Sequence, residues 1–129
     1  MKPIVFALMG PTAIGKTDLA CELSLEFPLE IINVDSSLMY KELNIGAAKP
    51  NAEVLLTYPH HLVNCCDLTH VYSVAQFCED AKRLCQDIHA KGRIPLLVGG
   101  TMMYFQALQH GLAELSLIHI SEPTRRYAI

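Results

Sequence analysis

The sequence predicts an α/β fold, a mostly parallel sheet with helices on both faces. Three observations carry that expectation. The apolar run Ile4-Val5-Phe6-Ala7-Leu8-Met9 leads into Gly10-Pro11-Thr12-Ala13-Ile14-Gly15-Lys16-Thr17, and residues 17–27 then place Leu19, Ala20, Leu23 and Phe27 on one helical face. A continuous apolar run bounded by turn residues reads as a strand buried on both sides. Two further strand candidates, 30–34 around Ile31-Ile32 and the buried run 94–98, lead into Asp35 and into Gly99-Gly100. Strands and helical segments alternate along the chain, which is the order that builds a parallel sheet.

The glycine loop fits G-x-x-x-x-G-K-[ST] at every fixed position, and its strand–loop–helix setting is P-loop NTPase-like. Loop N–H groups and a helix N-terminus converge on phosphate oxygens. Lys16 adds a full positive charge, and the Thr17 hydroxyl is a candidate Mg²⁺ ligand. The pattern leaves open whether the phosphate belongs to ATP or to another molecule.

Pro28 ends the first helix, and Asp35 follows the second strand. Ligands of open α/β sheets bind outside the carboxyl ends of the strands. Asp35-Ser36-Ser37, the segment around Lys49 and Gly99-Gly100-Thr101 therefore share a rim with the P-loop. Each also has a plain structural reading. Asp35 is a natural helix N-cap, Gly-Gly a tight turn, Thr101 the cap of the last helix, and Lys49 a surface lysine.

Residues 41–59 hold Gly46, Pro50 and Pro59 and read as irregular, and 61–64 is a short strand candidate. Ser73-Val74-Ala75-Gln76 matches a capping box that opens a helix to about Lys91. Phe77, Ala81, Leu84, Cys85 and Ile88 form its core stripe, and Gly92 closes it. Pro95 is tolerable near the start of its strand. The last helix spans about 102–110 and stops at Gly111.

At 129 residues the chain is long enough for one core, and 51% apolar against 18% charged residues excludes a disordered chain. The net charge of −3 offers no basic face of the kind nucleic-acid binders show. No apolar run approaches the ~18 residues of a membrane span. The chain opens directly on a strand, without a signal-peptide pattern, so a cytoplasmic protein is expected. Cys21, Cys65, Cys66, Cys78 and Cys85 are odd in number and form no C-x-x-C pair, which reads as reduced thiols. His60-His61 has no third ligand at zinc spacing.

In combination, the residues are more specific. The P-loop at 10–17, Val34-Asp35-Ser36-Ser37-Leu38-Met39-Tyr40, Ile45-Gly46-Ala47-Ala48-Lys49-Pro50, Pro59-His60-His61-Leu62 and Val98-Gly99-Gly100-Thr101-Met102-Met103-Tyr104 occur in this order. Together they resemble the tRNA dimethylallyltransferase, or tRNA isopentenyltransferase, family over about residues 3–115. That resemblance implies transfer of a dimethylallyl group from dimethylallyl diphosphate to the exocyclic N6 amine of an adenosine. The adenosine lies 3′ to the anticodon, in the anticodon stem-loop of tRNAs reading codons that begin with U. It implies that Gly10, Pro11, Thr12, Ala13, Ile14, Gly15, Lys16 and Thr17 hold the diphosphate with Mg²⁺, although the loop looks like an ATP site. Asp35 aligns with the family's catalytic aspartate, a general base, and Thr101 with a threonine that positions the reacting groups. Asp35, Ser36, Ser37, Leu38 and Thr101 align with tRNA contacts. A full-length monomer with no membrane attachment is expected.

Two departures stand out. The family usually carries threonine where this chain has Ala47. Residues 1–115 read as the N-terminal part of the prenyltransferase core, whereas 116–129 do not fit the family and look like translated sequencing-adapter DNA. The expectation is therefore a sheet incomplete at the C-terminus, with 116–129 outside the fold and the segment inactive alone. The missing part would supply basic tRNA contacts and an arginine for the diphosphate. The alternative is a P-loop small-molecule or nucleotide kinase, which needs an arginine-bearing lid; the interior offers only Arg83 and Arg93.

Overall fold

The computed structural model describes residues 4–9, 16–41, 52–58, 60–67, 69, 71–111 and 116–120. The elements in chain order are β1 (Ile4–Met9), α1 (Lys16–Glu26), β2 (Leu29–Asn33), α2 (Ser36–Met39), α3 (Ala52–Thr57) and β3 (His60–His61), followed by α4 (Val74–Ala90), β4 (Ile94–Gly99), α5 (Met102–Gly111) and β5 (Ser116–Ile120). Among the described residues the strands make one parallel sheet in the order β3-β2-β4-β1-β5.

Alternation along each strand splits the core between two faces. Leu8, Leu29, Ile31, Leu96 and Val98 pack with Leu19 and Ala20 of α1. Val5, Ala7, Ile32, Val34 and Leu97 pack with Phe77, Ala81, Cys85 and Ile88 of α4 and with Tyr104, Phe105 and Leu108 of α5. The Phe77 and Tyr104 rings stack at 4.6 Å, joining the two helices. Leu84 lies at the margin of this cluster. Phe27, expected on the core face of α1, remains 40% exposed and meets Phe6 edge-on.

The capping chemistry explains where α4 begins and ends. The Ser73 hydroxyl accepts the Gln76 N–H at 3.1 Å from an extended backbone. Gly92 follows the helix at φ 76°, a left-handed conformation that glycine adopts without a Cβ penalty.

Two segments differ from the sequence expectation. Residues 52–57, expected to be irregular, form α3, with the Thr57 hydroxyl donating to the Glu53 carbonyl. Ala-Glu-Val-Leu-Leu favours a helix locally, and the flanking Pro50 and Pro59 hide that signal in a longer window. The strand expected over 61–64 is instead His60–His61, because Leu62 and Asn64 have φ of 65° and 55° and leave the extended region. Residues 116–120, in the tail that does not fit the family, pair with β1 from Ile4↔Ser116 to Leu8↔Ile120, as a short apolar strand can beside an open sheet edge. An open β1 edge presents a row of unsatisfied backbone groups, and a short extended segment satisfies them.

Toward the amino ends of the strands, the buried Glu30 carboxylate gathers partners from β3 and from the turn between α4 and β4. His61 Nε2 lies 2.7 Å from Oε1, and Lys91 Nζ and Arg93 Nε lie 3.2 and 3.1 Å from Oε2. Arg93 Nε is close but off-line for a hydrogen bond, while its Nη2 donates to the Leu29 carbonyl at 2.7 Å. Burial pushes the Glu30 carboxyl up, but the bonds from His61 and Lys91 outweigh it and hold the group below its ordinary value of 4.5. Burial also depresses His60 below 6.5, with the neighbouring His61 adding to that and a hydrogen bond to the Tyr58 carbonyl opposing it.

Both shifts give stability the same pH slope. A depressed pKa means that the unfolded chain binds more protons, so acidification favours unfolding. The His60 contribution is intact above 6.5 and fades below it, and the Glu30 contribution is intact above 4.5 and fades below that. Urea midpoints measured from about pH 8 to about pH 3 should therefore fall in two stages. Glu30→Gln should remove the lower stage and leave the upper one; an unchanged lower stage would contradict the assignment.

Candidate active site

The site is built at the carboxyl ends of β1, β2 and β4. Register places Met9 beside Gly99 and Asn33 beside Val98. The pairing continues beyond the strands, with Val34 N–H donating to the Val98 carbonyl at 2.7 Å and Thr101 N–H to the Val34 carbonyl at 3.0 Å. Gly99 permits this closeness. A Cβ there would stand 2.3 and 2.4 Å from the Val34 carbonyl carbon and oxygen and 2.8 Å from Asp35 N, all backbone atoms. α1 departs from β1 on one face of the sheet and α5 from β4 on the other. The crevice between β1 and β4 is therefore a topological switch point, where open α/β sheets bind ligands.

Asp35 is 7% exposed and is the N-cap of α2, from an extended φ of −122°. Its Oδ1 accepts the Ser37 N–H at 3.0 Å and the Ser37 hydroxyl at 2.7 Å. A carboxylate has about four lone-pair directions, and the two bonds at Oδ1 aim the group. The capping and basic roles considered from the sequence are thus compatible in one side chain. Thr101 meets α5 through its backbone carbonyl, which accepts the Tyr104 N–H at 3.1 Å, while its Oγ1 accepts the Ser36 N–H at 3.0 Å. That bond ties the Gly99-Gly100-Thr101 turn to the Asp35-Ser36-Ser37 turn. Asp35, Ser36, Ser37, Leu38 and Thr101 are thereby brought together on one rim.

The sequence reading passed over Asn33. It is 3% exposed, and its amide holds the backbone of Asp35 on both sides. Nδ2 donates to the Asp35 carbonyl at 2.8 Å and to the Leu62 carbonyl at 3.0 Å, and Oδ1 accepts the Asp35 N–H at 3.0 Å. The available signal was an amide between Ile32 and Val34, two residues before Asp35 on the ligand-binding edge of the sheet.

P-loop residues Gly10, Pro11, Thr12, Ala13, Ile14 and Gly15, and the segment with Ala47 and Lys49, lie outside the described residues. What is described is the frame around the loop: β1 ends at Met9 and α1 begins at Lys16, the strand–loop–helix order of the motif. The backbones of Lys16 and Thr17 form the first turn of α1.

The remaining chemistry-bearing groups are structural. Burial pushes the Cys65 thiol up to about 11, with Cys66 adding to that, and the Cys85 thiol up to about 12. Both are inert thiols at neutral pH. Tyr72 donates to Asp80 Oδ2 at 2.5 Å, and Arg83 pairs with Asp80 on the same helix at 3.1 Å. Among the described residues, no three His, Cys, Asp or Glu side chains gather as a metal cage. No helix described is long and apolar enough to cross a membrane.

Comparison with known proteins agrees with this frame. A family profile, IPP transferase, matches residues 38–128. The chain is 59% identical over 115 residues to a tRNA dimethylallyltransferase of Legionella pneumophila strain Corby, covering 89% of the chain and 37% of the relative. Identity is also 59% over 113 residues to a tRNA dimethylallyltransferase of Methylobacillus flagellatus, covering 88% and 36%. The crystal structure of full-length tRNA isopentenylpyrophosphate transferase from Bacillus halodurans superposes with a TM-score of 0.79 at 40% identity, over 86% of this chain and 36% of that one. A eukaryotic dimethylallyltransferase acting on tRNA superposes with a TM-score of 0.77 at 35% identity, over 82% and 26%. The chain thus spans little more than a third of the length of the bacterial relatives it matches. With a family profile covering residues 38–128 and 59% identity across 89% of its length, this chain belongs to the IPP transferase family.

Proposed function

We propose that the whole protein carrying this segment transfers a dimethylallyl group from dimethylallyl diphosphate to the N6 amine of the adenosine 3′ to the anticodon of tRNA. Residues 1–115 form the part of the core that carries the chemistry. The reading rests on one observation above the others. In a chain of this family, the Thr101 hydroxyl holds the N–H of Ser36, the residue after Asp35, and so ties the two turns on the edge where β1 also ends.

The reaction makes an N6–carbon bond and breaks the allylic carbon–oxygen bond to diphosphate. Negative charge grows on the leaving diphosphate, and the N6 proton must leave. P-loop amides and Lys16 are suited to the first demand, as donors fixed in advance toward developing charge. Asp35 is suited to the second, as a carboxylate aimed by its Ser37 bonds. Thr101 fixes the turn beside it, and Ser36, Ser37 and Leu38 offer the adjoining surface to an unstacked base. The donor set also fits Mg²⁺, which prefers a few oxygen ligands and substrate phosphate to a cage of protein side chains. Thr17 on the first turn of α1 would hold it, and the ion would neutralise charge on the diphosphate. A cytoplasmic location belongs to the same reading, and the bacterial tRNA dimethylallyltransferase relatives support it.

Neither arginine among the described residues favours kinase chemistry. Arg83 is engaged with Asp80 on α4, and Arg93 with Glu30 at the opposite end of the strands. Competition binding in Mg²⁺ separates the two readings. The full-length protein should prefer dimethylallyl diphosphate to ATP. A clear preference for ATP, with phosphate transfer to a small acceptor, would establish the kinase reading instead.

A further inference from the structure

We propose that Asn33 is a positioning residue for Asp35, setting the angle at which the carboxylate meets the reacting amine and coupling that angle to the turn after β3. The inference rests on the reading of Asp35 as general base. The observations that carry it are local. A single buried amide takes both backbone groups of Asp35, the N–H at 3.0 Å and the carbonyl at 2.8 Å. The peptide units flanking the Asp35 Cα are therefore held by one rigid, planar group. The remaining Nδ2 hydrogen reaches the Leu62 carbonyl, 29 residues away in sequence.

Leu62 sits at φ 65°, a left-handed conformation that is strained for a non-glycine residue. Such strain persists only where surrounding contacts over-determine it. Here the Asn33 amide supplies one such contact. Two more come from the same turn, where Asn64 N–H donates to the Leu38 carbonyl at 3.0 Å and Cys65 N–H to the Met39 carbonyl at 2.8 Å. The turn after β3 thus grips both ends of the Asp35–Met39 segment, at Asn33 on one side and at α2 on the other. No charge or nucleophile is required of Asn33. Its contribution is an orientation that a shorter side chain cannot hold.

The test is a double-mutant cycle in the full-length enzyme. Asn33→Ala should lower kcat by about 10- to 100-fold, the scale of a misplacement near 1 Å, with KM for dimethylallyl diphosphate little changed. In an Asp35→Ala background the same substitution should lower kcat no further, because residues acting as a unit are strongly non-additive. Asn33→Ser, which keeps one short hydrogen-bonding group, should fall between alanine and wild type. Dimethylallyl diphosphate binding and the thermal midpoint of each variant report whether it is folded. If Asn33→Ala costs the same factor in both backgrounds, or if folded Asn33→Ala keeps wild-type kcat, the positioning role is wrong while Asp35 as base stands. If Asp35→Ala alone keeps its activity, the reading on which the inference rests has failed instead.

Discussion

Asp35→Ala in the full-length enzyme should lower kcat by ~10²–10⁴-fold, the range for loss of a positioned general base, and leave dimethylallyl diphosphate binding little changed. The separation follows from geometry. Asp35 sits on the turn after β2, whereas the diphosphate is assigned to the loop after β1, with β4 between the two strands. Asp35 is also a helix cap, so alanine removes two functions at once. Asp35→Asn separates them. Asparagine caps a helix about as well as aspartate, and its Oδ1 keeps both Ser37 bonds, but it cannot accept the proton. The asparagine variant should therefore be nearly as slow as the alanine variant and more stable. An active asparagine variant beside an inactive alanine one would reduce Asp35 to a cap.

Gly99→Ala should destabilise the protein by about 2–3 kcal/mol, at the upper end of the usual cost of overpacking. The added methyl would stand 2.3 Å from a backbone carbon of Val34, and neither strand can move without breaking the Val34–Val98 and Thr101–Val34 bonds. Activity should fall with stability, because Asp35 N is among the atoms that must move. Gly92→Ala is the control: its Cβ would meet open space, so its cost is confined to the left-handed conformation, roughly 1–2 kcal/mol. Urea denaturation of both variants checks the pair. A Gly99→Ala variant no less stable than Gly92→Ala would show that the close approach is easily relieved.

Much of this arrangement was legible in the sequence, for reasons that differ by element. β1 and β4 are continuous apolar runs because both of their faces are covered, β2 keeps that character at Leu29, Ile31 and Ile32, and α4 announces itself through Ser73 and a helical stripe. The rim followed from chain order alone, since each parallel strand delivers its C-terminal residue to the same edge. What stayed hidden depended on tertiary contacts. Gly99 looked like a turn glycine, and only its distance to Val34 shows that it is a contact glycine. Asn33 looked like a strand terminus because its partners include Leu62, far along the chain. Thr101 looked like an N-cap, and the acceptor role toward Ser36 crosses 65 residues. α3 was masked by its flanking prolines, and β5 forms on an edge whose appetite for backbone partners no local pattern records.

The most direct test of the central claim is product analysis. The full-length protein is incubated with Mg²⁺, dimethylallyl diphosphate and a tRNA anticodon stem-loop carrying adenosine 3′ to the anticodon, and the digested nucleosides are weighed by mass spectrometry. The expected result is one dimethylallyl group gained at N6 of that adenosine, with release of diphosphate and loss of both products in the Asp35→Asn variant. An unmodified adenosine from folded protein that binds both substrates, or modification undiminished in Asp35→Asn, would contradict it.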